Sequence, residues 1–365
     1  MLRATAKSFM EREAPKDAII ALQRAESGLV PELWRKACAL GWLGILIPEE
    51  QGGTGSPLTD AAVLYEELGR GPLPGPFFSS GVLGAIALLE GATGAQRREI
   101  LPAVARGERI VSVAITEPNA SWGAPGVALA PQRVGGGYRL NGVKLFVSDA
   151  TGATDLIVAV RTGDGPGDLS LLQVDARCPG VSARRLPGFL SWQCEVTFEN
   201  VEIEPARLLG GRENEGWAVL QRAMTKALPV LCSYMVGGCQ AVFEMSVAHS
   251  RERVQFGVPI GKFQRGQDHV IRLANHLDSA RWTTAEALWK LDTGRPGAAA
   301  AVHMAKAVVA EAYLEACNAA HEVHAGMGSL TEYGLAAHTQ ASRTLFHYLG
   351  DPRWHKRRMA DALEW

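Results

Sequence analysis

The periodicity of apolar residues changes twice along the chain, and this constrains the fold more than any other feature. Over Leu2–Ala105, apolar residues recur at steps of three and four, which predicts helices. Over Ile110–Leu209, short β-branched runs alternate with turn formers such as Asn141-Gly142, which predicts strands. From Gly216 onward, long alanine-rich segments restore the helical periodicity, which favours a helical bundle.

We therefore predict an α+β multidomain protein with three domains. An N-terminal α-helical domain spans 1–109, a middle β-barrel or β-sandwich domain spans 110–210, and a C-terminal four-helix bundle spans 211–365. An all-β domain placed between two helical ones excludes most doubly wound α/β folds. Lys226-Ala-Leu-Pro229 is expected to open a bundle helix, because proline is tolerated in the first helical turn.

Composition excludes two classes of partner. The 37 Lys and Arg residues nearly cancel the 38 Asp and Glu residues, so no net field is expected to hold a nucleic acid or an anionic membrane. The longest apolar stretch, near Val82–Leu89, is much shorter than the ~20 residues that a membrane-spanning helix needs. With 365 residues, of which 47% are apolar, the chain can bury two or three cores.

The cysteines and histidines predict neither disulfides nor a metal site. The six cysteines are scattered, without a C-x-x-C pair or zinc-ligand spacing. The first residues carry charges throughout instead of a basic head and an apolar core, unlike a secretory signal. We expect reduced thiols and a cytoplasmic location. His321 and His324 have helical ligand spacing, but no second set of ligands accompanies them.

Five segments, in order over nearly the whole chain, resemble the acyl-CoA dehydrogenase family. They are GWLGILIPEEQGGTG (Gly41–Gly55), VAITEPNAS (Val113–Ser121), LNGVKLFVSDA (Leu140–Ala150), RVQFGVPIGKFQ (Arg253–Gln264) and HEVHAGMGSLTEYG (His321–Gly334). The resemblance implies the same three-domain order, FAD as cofactor and an acyl-CoA thioester as substrate. It also implies a dimer, or a tetramer built from dimers, with each flavin at a subunit interface.

The resemblance assigns three flavin contacts to the middle domain. Thr116 corresponds to a residue that hydrogen-bonds the flavin ring, Phe146 to an aromatic residue against the flavin, and Ser148 to a hydroxyl near flavin N5. The alternative is that these are ordinary strand-end and turn residues. The family's Gly-Ala/Ser-Gly-Ser run, which lets the backbone approach the pyrophosphate, is replaced by Asn119–Trp122. This departure weakens a flavin site built from the chain's own β domain.

A second group corresponds to residues that the family contributes to the neighbouring subunit's flavin. Arg253 matches the arginine that meets the pyrophosphate, although it could also be a solvated charge at a helix end beside Glu252. Its companions, together with the glycines of the C-terminal turn, are Gln255, Phe256, Gln264, Gly326 and Gly328. Glu322 replaces a common glutamine, and its carboxylate would repel a pyrophosphate unless it points away.

The positions of the catalytic base depart from the family. Dehydrogenation needs a base beside the α-carbon and a hydride acceptor beside the β-carbon. The family's C-terminal glutamate falls on Leu349, and the alternative glutamate of some members falls near Ala227. Neither residue can accept a proton. Asp351 is the nearest ionisable replacement, unless it is a turn residue before Pro352.

Two histidines and one tyrosine lie near these positions in the sequence. His347 and His355 are expected on a solvated helix face or cap rather than in catalysis. Tyr234 could shorten an acyl pocket, or it could equally be core packing. The sequence does not choose the acyl group.

Three functions remain open. The tail Tyr348–Arg358 resembles bacterial heteromeric α2β2 acyl-CoA dehydrogenases, in which one subunit type carries the base and most of the flavin site. The chain would then be the other subunit, and its substrates would be bulky thioesters, including steroid side chains, or dicarboxylic or ring acyl-CoAs. The alternatives are a self-sufficient homodimeric oxidoreductase with an unusual base such as Asp351, or an inactive scaffold of the same fold.

Overall fold

Helices occupy both ends of the chain and strands occupy its middle, as predicted. The structure is a computed structural model that describes residues 1–24, 29–187 and 193–365. The first helices are α1 (Leu2–Glu13), α2 (Lys16–Arg24), α3 (Pro31–Ala39), α4 (Leu58–Arg70), α5 (Ala85–Gly91) and α6 (Gly94–Ala105). The strands that follow are β1 (Val111–Ala114), β2 (Gln132–Val134), β3 (Gly137–Ser148), β4 (Asp155–Arg161), β5 (Leu169–Asp175), β6 (Val181–Arg185) and β7 (Gln193–Ile203).

The C-terminal part is again helical, with one short hairpin. It contains α7 (Gly216–Glu252), the hairpin strands β8 (Val254–Gln255) and β9 (Val258–Pro259), α8 (Gln264–Asp292), α9 (Ala298–His324), α10 (Leu335–His347) and α11 (Pro352–Ala362). This order of a helical, a β and a helical region confirms the predicted fold class.

The chain divides into two compact units. The first contains Met1–Arg24, Leu58–Leu73 and Leu228–Trp365, and the second contains Ala25–Pro57 and Pro74–Ala227. The N-terminal helices are therefore divided between the units: α1, α2 and α4 belong to the first, and α3, α5 and α6 belong to the second. The domain boundaries at 109 and 210 remain predictions.

Two sheets form the middle of the second unit. In the first, β1 pairs in parallel with β4, which pairs antiparallel with β5. In the second, the order is β2-β3-β7-β6, with antiparallel pairing throughout. Residues Leu156–Val160 of β4 are at most 1% exposed, so both faces of this strand are covered, which explains its unbroken apolar sequence.

Glycines allow α4 and α7 to cross closely within the first unit. A Cβ on Gly69 would lie 1.8 Å from the carbonyl oxygen of Tyr234, and one on Gly237 would lie 1.9 Å from that of Glu66. No side chain larger than hydrogen fits at either position. The Tyr234 hydroxyl donates a hydrogen bond to the carbonyl of Leu73 at 3.1 Å, which gives this tyrosine a structural role at the crossing.

Helix α7 corrects the prediction that a helix opens at Lys226–Pro229. The helix begins at Gly216, so Pro229 lies inside it. Proline in a helix interior removes one backbone hydrogen bond. The residues around it, Ala227, Leu228, Val230 and Leu231, are at most 3% exposed. We attribute the continuation of the helix through the proline to this burial.

Helix α7 is a candidate membrane span apart from the short apolar stretch near Val82–Leu89. The helix has 37 residues, and an 18-residue window of it has a mean hydropathy of 1.3, which passes the length and composition test for a membrane span. However, 61% of that window is buried inside the protein. A buried core helix passes the same test, so this is weak evidence for a membrane.

Candidate active site

Thr116 and the end of β3 lie together in the second unit. Thr116 follows β1 and is 7% exposed. Its carbonyl accepts the amide of Leu145 at 2.8 Å, and the Ser112 hydroxyl donates to the carbonyl of Ser148 at 2.7 Å. These bonds tie the segment that carries Thr116 to the segment that carries Phe146 and Ser148. The three predicted flavin contacts therefore belong to one local structure.

A buried ion pair supports this structure, and the sequence analysis missed it. Lys144 is fully buried, and its Nζ donates to Glu117 Oε1 at 2.7 Å and to the carbonyl of Ile115 at 3.1 Å. Burial lowers the pKa of Lys144 to about 8, opposed by the Glu117 carboxylate. Glu117 also accepts the amides of Ala128 and Leu129, each at 3.0 Å. The pair thus joins three backbone segments directly beside Thr116.

The sequence contained a weak signal for this pair. Lys144 lies between apolar residues in a predicted strand, and Glu117 directly follows Thr116. A buried charge requires a partner. What the sequence could not supply is the identity of that partner, 27 residues away.

The turn after β3 holds a perturbed carboxyl group. Asp149 directly follows Ser148 and has a φ of +60°. The Ser79 hydroxyl donates to Asp149 Oδ2 at 2.5 Å, while burial raises the pKa of Asp149 to about 6. Phe146, two residues before Ser148, has a φ of +56° and is 37% exposed, so its ring is available for contact.

The hairpin after α7 presents its predicted flavin contacts to the outside of the first unit. Arg253, Gln255 and Gln264 are exposed, and Phe256 is 92% exposed with a φ of +54°. The Phe256 ring packs edge-on against Phe263, with 6.1 Å between centroids. Exposed aromatic residues beside an arginine are typical of the centre of an interface.

The glycine turn lies against the end of α7. Gly326 is exposed and Gly328 is buried, and a Cβ on Gly328 would lie 2.9 Å from His321 Nδ1. His324 stacks on His249 of α7 with centroids 4.5 Å apart. This contact brings the turn to the region where the Arg253 hairpin begins. Glu322 is exposed.

The described residues offer no obvious metal centre at this turn. His321 Nε2 is 2.8 Å from Thr339 Oγ1, and His324 Nε2 is 3.3 Å from Ser246 Oγ. Each imidazole thus has a hydroxyl neighbour. The part of the chain that the structure describes holds no group of three or more candidate metal ligands.

Leu349 occupies a buried, strained turn. It is 8% exposed and has a φ of +58°, a conformation that costs a non-glycine residue about 1–3 kcal/mol. Asp351 caps α11, because its Oδ1 accepts the amide of Trp354 at 2.7 Å. Ala227 is fully buried in the interior of α7. Neither base position of the family therefore offers a carboxylate.

Lys306 is a second residue that the sequence analysis missed. It is fully buried in α9, and its Nζ donates to the carbonyls of Leu345 at 3.0 Å, Phe346 at 3.4 Å and Gly350 at 3.1 Å. Burial lowers the pKa of Lys306 to about 8. The lysine thereby joins the end of α10 to the turn that contains Leu349. In the sequence, the only indication of this role is a lysine among the alanines of a helical segment.

His355 corrects the expectation of a solvated histidine. It is fully buried, with Nδ1 2.9 Å from His303 Nδ1 and Nε2 3.1 Å from the Leu349 carbonyl. Only a protonated Nε2 can donate to that carbonyl, so His303 donates to His355 Nδ1. His347 is exposed, as expected.

These buried histidines predict a loss of stability in mild acid. Burial lowers the pKa of His338, His303 and His324 to about 4 and that of His355 to about 2. An unfolded histidine has a pKa of about 6.5, so above pH 6.5 the contribution of these neutral histidines to stability is fully present. Below it, protons bind the unfolded chain first, and the free energy of unfolding falls by about 1.4 kcal/mol per pH unit and per group down to the folded pKa. Urea unfolding at a series of pH values measures this slope.

A matched variant assigns part of the slope. His338 Nδ1 lies 2.9 Å from the Tyr313 hydroxyl. His338→Gln keeps a hydrogen-bonding partner there but cannot titrate, so its stability should fall less steeply than that of the wild type between pH 6.5 and 4. Equal slopes would contradict the assignment.

Backbone strain concentrates at the predicted site. Among the described residues, those with positive φ other than glycine are Ala120, Phe146, Asp149, Asn200, Asn214, Phe256, Ala325, Leu349 and Glu364. Six of these lie in or next to the segments singled out above, and Ala325, with φ 50° and ψ −136°, begins the glycine turn. Such strain persists where surrounding structure enforces it, often at functional sites.

Comparisons with known proteins match the whole chain. Three family models match: "Acyl-CoA dehydrogenase, N-terminal domain" at 1–108, "middle domain" at 112–201 and "C-terminal domain" at 214–364. A Bacillus subtilis protein named "Probable acyl-CoA dehydrogenase YngJ" is 31% identical over 344 residues, covering 92% of this chain and 90% of the relative.

Two solved structures are similar to this chain over its whole length. A variant of the "Tcur3481-Tcur3483 steroid ACAD" has a TM-score of 0.87 and 27% identity, over 100% of this chain and 96% of that one. "PigA with FAD and proline" has a TM-score of 0.90 and 25% identity, over 100% and 96%.

Proposed function

We propose, from the premise that this chain belongs to the acyl-CoA dehydrogenase family, that it is the subunit without the base in a heteromeric acyl-CoA dehydrogenase. The family consists of FAD-dependent oxidoreductases that act on CH–CH bonds, and acyl-CoA substrates and oligomeric assembly are typical of it. A partner subunit would supply the base, and the two chains would complete a flavin site together. We also propose a cytoplasmic location, supported by five cysteines outside any disulfide: Cys38, Cys178, Cys232, Cys239 and Cys317.

One observation carries the proposal: neither base position has a group that accepts a proton. At the C-terminal position, Leu349 is buried and apolar, and the nearby Asp351 is engaged as a helix cap. At the alternative position, Ala227 lies within the interior of α7. General base catalysis requires a proton acceptor within hydrogen-bond reach of the substrate.

The chain's own residues suit a supporting role toward the cofactor. When bound, FAD supplies the hydride acceptor of the reaction. Thr116 and Ser148 carry hydroxyls on segments that hydrogen bonds and the Lys144–Glu117 ion pair hold in place. Arg253 and Phe256 carry a positive charge and an aromatic ring on an exposed hairpin. These residues would bind and orient the flavin, while the proton would be taken by the partner.

One similar solved structure is a variant of the "Tcur3481-Tcur3483 steroid ACAD". Its two-part name supports a heteromeric assembly here, and the word steroid favours a bulky thioester, such as one with a steroid side chain, as the substrate class. An oligomer of two different chains is therefore what the experiment tests.

The test is co-purification of this chain with the product of an adjacent dehydrogenase gene, followed by the ratio of flavin to protein. We expect a stable complex with one flavin per two different chains, and a colourless or unstable chain when it is purified alone. A lone homodimer with one flavin per chain would contradict the proposal.

A variant addresses the base directly. Leu349→Glu in the isolated chain should not oxidise an acyl-CoA, because the flavin site is incomplete there. Leu349→Gln is the matched control, since it has a similar shape without a proton acceptor. Dehydrogenation by the isolated glutamate variant, and not by the glutamine variant, would mean that the flavin site is complete in this chain alone and would contradict the proposal.

A further inference from the structure

The loop that replaces the family's glycine-rich run is closed by one of its own side chains. Asn119 Oδ1 accepts the amide of Ser121 at 3.0 Å, and Asn119 Nδ2 donates to the carbonyl of Gly126 at 2.7 Å. The amide of Ala120 donates to the carbonyl of Glu117 at 2.8 Å, and Ala120 has a φ of +53°. Two successive amides of the loop are therefore used internally.

An anion-binding loop requires the opposite arrangement. Phosphate groups bind where backbone N–H groups converge without internal acceptors. Here the Asn119 carboxamide oxygen already accepts the Ser121 N–H, so this amide is not available to an anion. The carboxamide also bonds to Gly126 on the other side of the loop. The Asn119 side chain thus makes, within the loop, hydrogen bonds of the kind that a bound ligand would make.

Packing on both sides reinforces the closure. A Cβ on Gly126 would lie 2.4 Å from Ser121 Cβ, so Ser121 packs directly against this glycine. Arg161 donates to the carbonyls of Ala124 and Val127, each at 2.8 Å. Trp122 is half-buried in the same loop. These contacts hold the loop in the conformation that the Asn119 side chain closes.

We propose that Asn119 determines the number of flavins in the assembly, because it keeps this chain's own loop closed to the pyrophosphate of FAD. The inference rests on the proposed function and extends it: the chain would contact flavin pyrophosphate only through its exposed Arg253 hairpin. The closed loop and the exposed hairpin together leave one flavin site per pair of chains. Trp122 adds steric exclusion to the same effect.

The test reopens the loop in the full-length chain within its complex. Asn119→Gly frees the Ser121 N–H, and Trp122→Ser restores a small hydroxyl side chain. We expect the double variant to raise the flavin content from about one to about two per pair of chains. In the isolated chain, FAD should bind at least ~10-fold more tightly than to the wild type, since a recovered charge-assisted hydrogen bond contributes about 1.5–3 kcal/mol.

A matched control separates loop opening from general loosening. Asn141 is also exposed, and its Oδ1 accepts the amide of Asn200 at 2.8 Å. Asn141→Gly therefore removes an equivalent bond from the same unit, and it should leave flavin content unchanged. Amide exchange of Ser121 gives an independent measurement, because it should accelerate in Asn119→Gly and remain slow in the control.

The outcomes distinguish the two proposals. A wild-type complex with one flavin per pair, and a double variant with the same ratio, would overturn the role of Asn119 and leave the proposed function standing. A wild-type chain that already holds one flavin per chain would overturn both. An increase that Asn141→Gly reproduces would also count against Asn119.

Discussion

Glu117→Ala should destabilise the chain by about 3–5 kcal/mol, because it leaves the fully buried Lys144 without its counter-charge. The amides of Ala128 and Leu129 lose their acceptor in the same step. The free energy of unfolding in urea measures the loss.

Two further variants test the explanation. Glu202→Ala removes an exposed carboxylate of the same unit that pairs with Arg139 at 2.8 Å, and it should cost under about 1 kcal/mol. Glu117→Ala combined with Lys144→Met removes both charges and should recover part of the loss, since a buried charge no longer remains unpaired. If Glu117→Ala costs no more than Glu202→Ala, the pair does not support the site.

Lys306→Met should have a comparable effect in the other unit, about 3–5 kcal/mol. Methionine keeps most of the apolar stem, but the carbonyls of Leu345, Phe346 and Gly350 lose their donor, and each unsatisfied buried acceptor costs about 1–3 kcal/mol. The turn around Leu349 should also loosen. Urea unfolding measures the first effect, and amide exchange of residues 349–351 measures the second.

The matched control for Lys306 is another lysine that pairs at the surface. Lys226 is half-exposed and donates to Glu90 at 2.5 Å, so Lys226→Met should cost under about 1 kcal/mol. It should not change amide exchange at 349–351. Equal losses in the two variants would show that Lys306 does not hold the turn.

The two buried lysines stabilise different segments of the candidate site. Lys144 fixes the segment that carries the flavin hydroxyls, and Lys306 fixes the turn where the family has its base. The hydrogen bonds from Lys306 are present although the turn carries no base. We interpret the turn as a retained structural element, in which an apolar Leu349 now takes the place of a proton acceptor.

Local patterns were sufficient for the order of the elements. The apolar periodicity predicted helices and strands because it depends on neighbouring residues. The family resemblance predicted Thr116, Phe146 and Ser148 as flavin contacts, and the structure places them on two segments joined by one backbone bond and one side-chain bond. Their roles toward the flavin stay predictions. Pro229 was misjudged because burial of α7 outweighs the local preference of proline for a helix start.

The sequence by itself determined the three-region order, the family and the absence of an acid at Leu349 and Ala227, since these follow from residue identity and short-range pattern. Only the tertiary structure decided that Lys144 meets Glu117, that Lys306 meets residues 39 to 44 positions away, and that Asn119 closes its own loop. The physical reason is that a buried charge or amide finds its partner through the packing of the whole chain, which no local pattern encodes.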